Sequence, residues 1–416
     1  MFGLLDLNSA YASMEALFDP TIRGRPLVVT SNGDGCVVAR SSEAKALGVL
    51  MGQPIHEIPP AIRNLLVVRS ANFALYGSLS NRVFNLVRGC VPTVERYSVD
   101  EIFLDLSRIP DRKAFSEHLR DRVQREVGLA NCVGIGPTLT LAKLANRIAK
   151  RGAGVVDLGQ ADTHQAALAG LDVGDVWGVG RQWGSRLVSM GITTALQLRD
   201  TSDGRIAQEF GVVLRRTQKE LRGQPCRGLQ AHDPDRKSIA VSRTFGQRIS
   251  SLETFLEAIA SFMVRAAEKA RQGGLVATGV QVYAHTDWFR PELPQHHPSR
   301  SAPLPVATAD TRLLLSIARQ LATSMVRPGY AYKKAGVMLL GLERPCAVPA
   351  DLFAPSVAGD DALMSTVDAI NTRFGRGALR FASTAAKVDA PWCPRRRNLS
   401  PCYTTKLSDI PAARCD

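Results

Sequence analysis

The sequence predicts an α+β protein of several domains, and three observations carry that expectation. At 416 residues the chain exceeds what one hydrophobic core usually serves. From Met1 to Gly152 short apolar strand patterns alternate with helical ones, as in a domain with helices packed on a sheet. Beyond Gly152 the pattern turns short and helical, until the polar run His232-Asp-Pro-Asp-Arg-Lys reads as a linker into a second α/β unit.

Each element follows from local signals. Phe2 to Asp6 is an apolar strand, and the helix after it places Ala10, Met14, Leu17 and Phe18 on one face. Arg-Gly-Arg-Pro turns into a strand at Leu27 to Thr30, Asn32-Gly33-Asp34-Gly35 is a hairpin signal, and Cys36 to Ala39 is the return strand. Ser41 or Ser42 caps a short helix that Gly48 ends. A helix over 70–90 carries Tyr76, Leu79, Val83, Leu86 and Val87 on its apolar stripe. Tyr97 to Leu106 reads as a strand-turn-strand hairpin with an acidic tip. Phe115 to Val127 is a helix and Asn131 to Pro137 a buried strand. The helix from Leu139 to Lys150 then aligns Lys143, Arg147 and Lys150 on one face.

Farther on, Gly178-Val179-Gly180 lies between two helical patterns, followed by a helix near Val212 to Arg222. In the second unit a strand covers Ile239 to Phe245. Ser250 and Glu253 form a capping box for a helix that buries Phe255, Ile259, Phe262 and Met263 and stops at Gly273-Gly274. A strand at Leu275 to Tyr283, a Pro-rich loop from Trp288 to Pro305, a helix at Thr311 to Met325 and a strand at Ala335 to Leu340 complete the unit. Lys333 and Lys334 fall at the edge of that last strand, where lysines both contact phosphates and block sheet pairing. The tail from Ala347 holds one amphipathic helix, Leu363 to Phe374, and a basic cluster at Arg395-Arg-Arg.

Composition narrows the function classes. A net charge of +14 and a pI near 9.7 suit a polyanionic partner, nucleic acid first. No run reaches the length of a membrane span and the N-terminus lacks an export signal pattern, so a cytoplasmic protein is expected. Eight cysteines without a Cys-x-x-Cys argue against a zinc ribbon or disulfide framework, and the histidines form no ligand pattern.

The chemistry lies in the acids. Asp100 and Glu101 interrupt an apolar run with no basic residue beside them in sequence, and like charges so close repel unless a cation intervenes or one stays protonated. Asp6 ends the first strand. If that strand lies beside the hairpin, three carboxylates converge with oxygen-only ligation, a set that suits Mg²⁺ rather than zinc.

Asp6, Asn8, Tyr11, Ala12, Ser13 and Glu15, spaced Asp-x-Asn-x-x-Tyr-Ala-Ser-x-Glu, together with Tyr-Ser-x-Asp-Glu at Tyr97 to Glu101, resemble the two catalytic motifs of Y-family translesion DNA polymerases. The likeness is greatest to the UmuC branch, runs from Met1 to near Thr405, and includes Ser-Glu-Ala-Lys-Ala-Leu-Gly-Val at 42–49. The resemblance implies a right-hand fold with a palm at 1–9 and 70–165, fingers at 10–69, a small helical thumb at 166–231, an α/β little finger at 238–345 and a tail at 346–416. It implies template-directed addition of dNTPs to a primer 3′-hydroxyl, without a proofreading exonuclease, in SOS-type damage tolerance. Two Mg²⁺ ions would be held by Asp6, Asp100 and Glu101 with the backbone carbonyl of Leu7.

Further roles follow from the resemblance residue by residue. Tyr11 stands at the steric gate that rejects ribonucleotides. Ser42, Lys45 and Lys150 stand at the contacts to the nucleotide's phosphates, with Ser42 where the family often has Tyr. Gly178, Gly180 and Arg181 form the helix-hairpin-helix that holds a DNA phosphate through backbone N–H groups, Lys333 and Lys334 are further DNA contacts, and Lys143 and Arg147 neighbour either DNA or the palm's own acids. Leu352 and Phe353 fall in a sliding-clamp peptide whose leading Gln and Leu are Pro349 and Ala350 here. Implied partners are primer-template DNA, a cleaved UmuD dimer and a RecA-type filament. The rival readings are a non-catalytic DNA-binding scaffold that kept the fold and, more remotely, another palm enzyme such as a nucleotide cyclase.

Overall fold

The computed structural model describes residues 1–230, 235–347, 360–384, 390–394 and 396–410. The chain divides into two compact units, one made of Met1–Asp233 with Arg396–Asp416 and the other of Pro234–Arg395.

The first unit runs β1 (Phe2–Leu7), α1 (Ala10–Leu17), β2 (Leu27–Thr30), β3 (Val37–Arg40), α2 (Ser42–Ala46), α3 (Pro60–Arg63), β4 (Val67–Ser70), α4 (Phe73–Arg88), β5 (Val94–Arg96), β6 (Glu101–Asp105), α5 (Arg112–Val127), β7 (Asn131–Gly136), α6 (Leu139–Ala149) and β8 (Val155–Asp157), followed by α7 (Ala161–Ala169), α8 (Arg181–Ser189), α9 (Ala195–Asp200) and α10 (Asp203–Leu221). Five strands form one sheet in the order β5-β6-β1-β7-β8, and β3-β2-β4 form a small second one. Strand β1 is central, both its neighbours pair with it antiparallel, and its residues are buried from Gly3 to Leu7.

Strand alternation sorts the five-stranded sheet's side chains onto two faces. Leu5, Leu7, Ile102 and Leu104 enter a core with Leu75, Leu79 and Val83 of α4 and Leu119 and Val123 of α5. Leu4 and Phe103 instead pack with Leu139 and Ala142 of α6 on the other side. That helix sits unusually close to the sheet. A Cβ added at Gly134 of β7 would land on the backbone nitrogen of Asn146 and the carbonyl of Ala142, so only glycine admits this approach. Asn146 locks the seat, its Nδ2 donating to the carbonyls of Leu4 and Cys132 at 3.1 Å each.

The second unit runs β9 (Ser238–Ile249), α11 (Leu252–Gln272), β10 (Ala277–His285), β11 (Ser299–Thr308), α12 (Thr311–Met325), β12 (Tyr332–Leu340) and α13 (Asp360–Phe374), with sheet order β11-β10-β12-β9. Its core joins Phe255, Ile259 and Met263 of α11 to Val280, Val282, Val337 and Leu339 of the sheet.

Four expectations are corrected. The Pro-rich stretch expected as a loop contains β11, and Pro303 and Pro305 are tolerated because this is an edge strand with one side unpaired. The strand of Lys333 and Lys334 is internal, between β10 and β9, so neither lysine guards an edge; Lys333 Nζ donates to the Phe245 carbonyl at 3.1 Å. Ser251, not Ser250, caps α11, accepting from the Thr254 N–H. The helix expected near Val212 begins at Asp203 and is broken at Gly211, whose φ of 78° and ψ of −171° interrupt the helical run and leave Val212 and Val213 exposed. Leu352, Phe353 and the first arginine of the Arg395 cluster lie outside the described residues, as do several positions of the expected 232–237 linker. Among the described residues no helix is long and apolar enough to cross a membrane.

Gly134→Ala is expected to unseat α6, lowering stability by about 1–3 kcal/mol, the usual cost of forcing an atom into a packed contact. A thermal melt by circular dichroism measures it, and a wild-type melting temperature would show that the contact is not as tight as described.

Candidate active site

Strand register brings the distant acids together. Asp6 of β1 lies directly opposite Glu101 of β6, and residues opposite one another in an antiparallel pair project to the same face. Asp100 closes the hairpin turn beside them. Its carbonyl accepts the Leu7 N–H at 3.0 Å and its Oδ1 accepts from Ser98 Oγ at 2.5 Å. The sheet face shared by Asp6 and Glu101 is the one covered by α6, so the acids meet that helix's basic stripe.

Each cation of the stripe has an acid. Lys150 Nζ donates to Asp6 Oδ2 at 2.7 Å, Lys143 Nζ to Glu101 Oε2 at 3.1 Å, and Arg147 to Asp175 Oδ2 at 2.5 Å. Lys143 also sits 4.3 Å above the Tyr97 ring and 5.2 Å from that of Trp177, an aromatic bed for an ammonium. Asp6 is 3% exposed. Burial lifts its carboxyl to about 7, the nearby Glu101 and Asp100 add to the rise, and Lys150 opposes it.

Among the described residues no three carboxylate, imidazole or thiol groups gather tightly enough to form a ready-made ion cage, and lysine ammoniums are paired with two of the acids. The donor set still fits a hard divalent cation. All its candidate ligands are oxygens, and Asp6 Oδ1 is buried without a hydrogen-bond partner, an acceptor still open to a cation.

Two cavities meet at Lys150, and one of them is lined by the acids. One of about 280 Å³ is lined by Asp6, Glu101, Lys143, Arg147 and Trp177. The other, of about 500 Å³, is lined by Asn8, Ser9, Ser42 and Lys45. The structure therefore collects Ser42, Lys45 and Lys150 around one space. Lys45 Nζ donates to Ser9 Oγ at 2.8 Å, and burial together with Arg40 and Lys150 pulls its ammonium pKa down. Tyr11 lies parallel to Tyr76, with ring centroids 4.4 Å apart and planes 13° from parallel, and edge-on to Phe73. Burial first and the Asp100 charge second raise its hydroxyl pKa.

Gly178 has a φ of +91° and packs against Thr217; Gly180 opens α8 and Arg181 is exposed in its first turn. A short 3₁₀ turn at Val173–Asp175, rather than a full helix, precedes this hairpin. Lys333 and Lys334 belong to the second unit.

Several contacts at the site have no local sequence signal. Ser9 takes a left-handed conformation, φ 48°, that presents its hydroxyl to Lys45. Trp177 donates to the Tyr97 hydroxyl at 3.2 Å across 80 positions of chain. Glu15, a motif residue without an assigned role, is buried, and its Oε1 accepts from the Tyr76 hydroxyl at 2.6 Å.

Comparison with known proteins agrees with this architecture. Residues 5–147 match the impB/mucB/samB family, residues 236–352 its C-terminal domain, and residues 361–413 a domain of unknown function, DUF4113. The chain is 40% identical to Protein UmuC of Salmonella typhimurium over 99% of both chains, and 38% identical to Protein ImpB of Salmonella typhimurium over the whole of both. It is 26% identical to DNA polymerase IV of Brucella melitensis over 92% of this chain and 85% of that one. Among solved structures, a Y-family DNA polymerase chimera of Dbh and Dpo4 superposes with a TM-score of 0.66 at 21% identity, over 82% of this chain and 99% of that one. An insertion ternary complex of Dbh DNA polymerase does so with a TM-score of 0.55 at 19% identity, over the same shares. The fold is that of a right-hand Y-family polymerase.

Lys150→Met would strip the cation from a buried carboxylate. In EDTA at pH 8 the variant is expected to be less stable by about 1 kcal/mol, because its Asp6 takes up a proton rather than stay charged without a partner and pH 8 lies only about one unit above the wild-type value. The deficit should shrink as pH falls through about 7, where Asp6 takes up a proton and no longer needs a partner. Urea melts at pH 8 and pH 6 measure both; equal stability at pH 8 would overturn the pairing.

Proposed function

The chain belongs to the impB/mucB/samB family of Y-family translesion DNA polymerases, and from that premise we propose that it extends primers by two-metal nucleotidyl transfer, with Asp6, Asp100 and Glu101 as the metal ligands. The observation that carries the proposal is the placing of Asp6 opposite Glu101, with Asp100 bonded to Leu7, in the wall of a lysine-lined cavity. When bound, two Mg²⁺ ions would lower the pKa of the primer 3′-hydroxyl and neutralise the leaving pyrophosphate. Asp6 and Asp100 would hold both ions, Glu101 would complete the primer-side site, and Leu7 would lend its carbonyl.

The lysines would then change partners. Lys150 gives up Asp6 for a phosphate, with Lys45 and the Ser42 hydroxyl on the same triphosphate. Lys143 stays near Glu101 or moves to DNA. Tyr11, braced by Tyr76, leaves no room for a 2′-hydroxyl and so selects deoxyribonucleotides. Gly178, Gly180 and Arg181 would grip a DNA phosphate, and Lys333 and Lys334 would contact the duplex from the little finger.

We assign the activity to SOS-type tolerance of damaged templates, in the cytoplasm and at the nucleoid, without proofreading. Primer-template DNA and dNTPs are the substrates, and a cleaved UmuD dimer and a RecA-type filament are the proposed partners. A sliding-clamp contact through Leu352 and Phe353 would be weakened by the loss of the leading Gln. A non-catalytic scaffold would not need the acids, and all of them are present.

Asp100→Ala is expected to abolish primer extension with dNTPs and Mg²⁺ across an abasic template while DNA binding, read by fluorescence anisotropy, survives. Extension at the wild-type rate would refute the ligand assignment. Tyr11→Ala should let ATP or UTP enter the product, and unchanged ribonucleotide use would remove Tyr11 from the gate.

A further inference from the structure

The returning tail reaches the aromatic floor on which Tyr11 rests. Residues 396–410 belong to the first unit, and from Arg397 to Tyr403 they bond in succession to the elements around that floor. The Arg397 N–H donates to Asp34 Oδ2 at 2.8 Å. Asn398 bonds to Ser70 through both its backbone groups, its N–H to Ser70 Oγ at 3.0 Å and its carbonyl to the Ser70 N–H at 2.9 Å, and Leu399 forms a parallel bridge to Ser70. The ring of Tyr403 stacks on Phe18, at the end of α1, with centroids 4.9 Å apart.

Ser400 stands at the centre. It is 6% exposed, and its hydroxyl donates to Glu15 Oε1 at 3.1 Å, the same oxygen that takes the Tyr76 hydroxyl at 2.6 Å. Asn72 Nδ2 donates to the Ser400 carbonyl at 3.0 Å and to its Oγ at 3.1 Å, while Asn72 Oδ1 caps α4 at the Leu75 N–H. Helix α4 carries Tyr76 and Phe73, the two rings against Tyr11. A buried hydrogen-bond chain therefore runs from the tail through Glu15 to Tyr76, and ring stacking carries it on to Tyr11. Such chains restrict each member's rotamers because a broken link leaves a buried polar group unpaired.

We infer that residues 397–403 are a positioning strap for sugar selection, with Ser400 holding the Glu15–Tyr76 pair that sets the plane of Tyr11. The inference rests on the polymerase reading and gives a task to the end of the 361–413 segment. Neither Ser400 nor Asn72 touches the acids or the lysine-lined cavities.

The test is single-nucleotide insertion by the full-length chain, comparing kcat/KM for dATP with that for ATP opposite the same template base. Wild type, Ser400→Ala, Asn72→Asp and Tyr11→Ala are compared, each with a thermal melt. Asn72→Asp keeps the helix-capping oxygen and removes the donors to Ser400. Ser400→Ala and Asn72→Asp are expected to raise the ATP-to-dATP ratio about two- to tenfold, the reach of one buried hydrogen bond, with dATP insertion within about twofold of wild type. If Tyr11→Ala relaxes the ratio and a normally melting Ser400→Ala does not, the strap is overturned and the gate stands. If Ser400→Ala melts early, Asn72→Asp decides in the same way. If Tyr11→Ala itself leaves the ratio unchanged, the gate reading and the strap fall together.

Discussion

Two carboxylates opposite one another across an antiparallel strand pair repel, and the rest of the first unit is arranged around keeping Asp6 and Glu101 in that position. Register holds them: β1 is central and paired on both sides, so a one-residue slip would turn its apolar side chains onto the wrong face. Cations offset the repulsion. Lys143 lies in α6 and Lys150 caps its end, the first paired with Glu101 and the second with Asp6.

That helix reaches the acids only because the strand under it lacks side chains at the contact. Gly134 and Gly136 let α6 settle on β7, and Asn146 ties it to two strands at once. The basic stripe is thereby fixed in height and rotation over the acids. The ammoniums sit against the two carboxylates, and both lysines retain solvent access. A site of this kind stores its own counter-ions, which keeps a buried, proton-seeking Asp6 compatible with a stable fold in the absence of metal.

Helix α1 carries the other end of the site, an aromatic layer of Tyr11 on Tyr76 with Phe73 at the edge, whose rigidity depends on buried polar groups beneath it. Glu15 serves two donors with one oxygen and is lifted in pKa by burial, against the hydrogen bonds of Tyr76 and Ser400. The acidic end of the site is thus held by charge and sheet register, while the Tyr76 ring under Tyr11 is joined by hydrogen bonds to the far end of the chain.

Much of this was legible in the residues alone. The hairpin with its acidic tip, the first strand and the helix after it, the i, i+4, i+7 basic face of α6, and Thr311–Met325 as a helix follow from periodicity and turn chemistry, which are local. The misreadings have equally definite causes. Pro303 and Pro305 disguised an edge strand, because whether a missing N–H matters depends on which side is paired. Lys333 and Lys334 looked like edge residues because strand order is not written in strand composition. Residue types and their spacing settle which positions can bear charge, form turns and fill a core. Folding alone settles that Lys150 meets Asp6, that Trp177 meets Tyr97 and that Ser400 meets Glu15, since these contacts join residues 80 to 385 positions apart and no local propensity carries information over such distances.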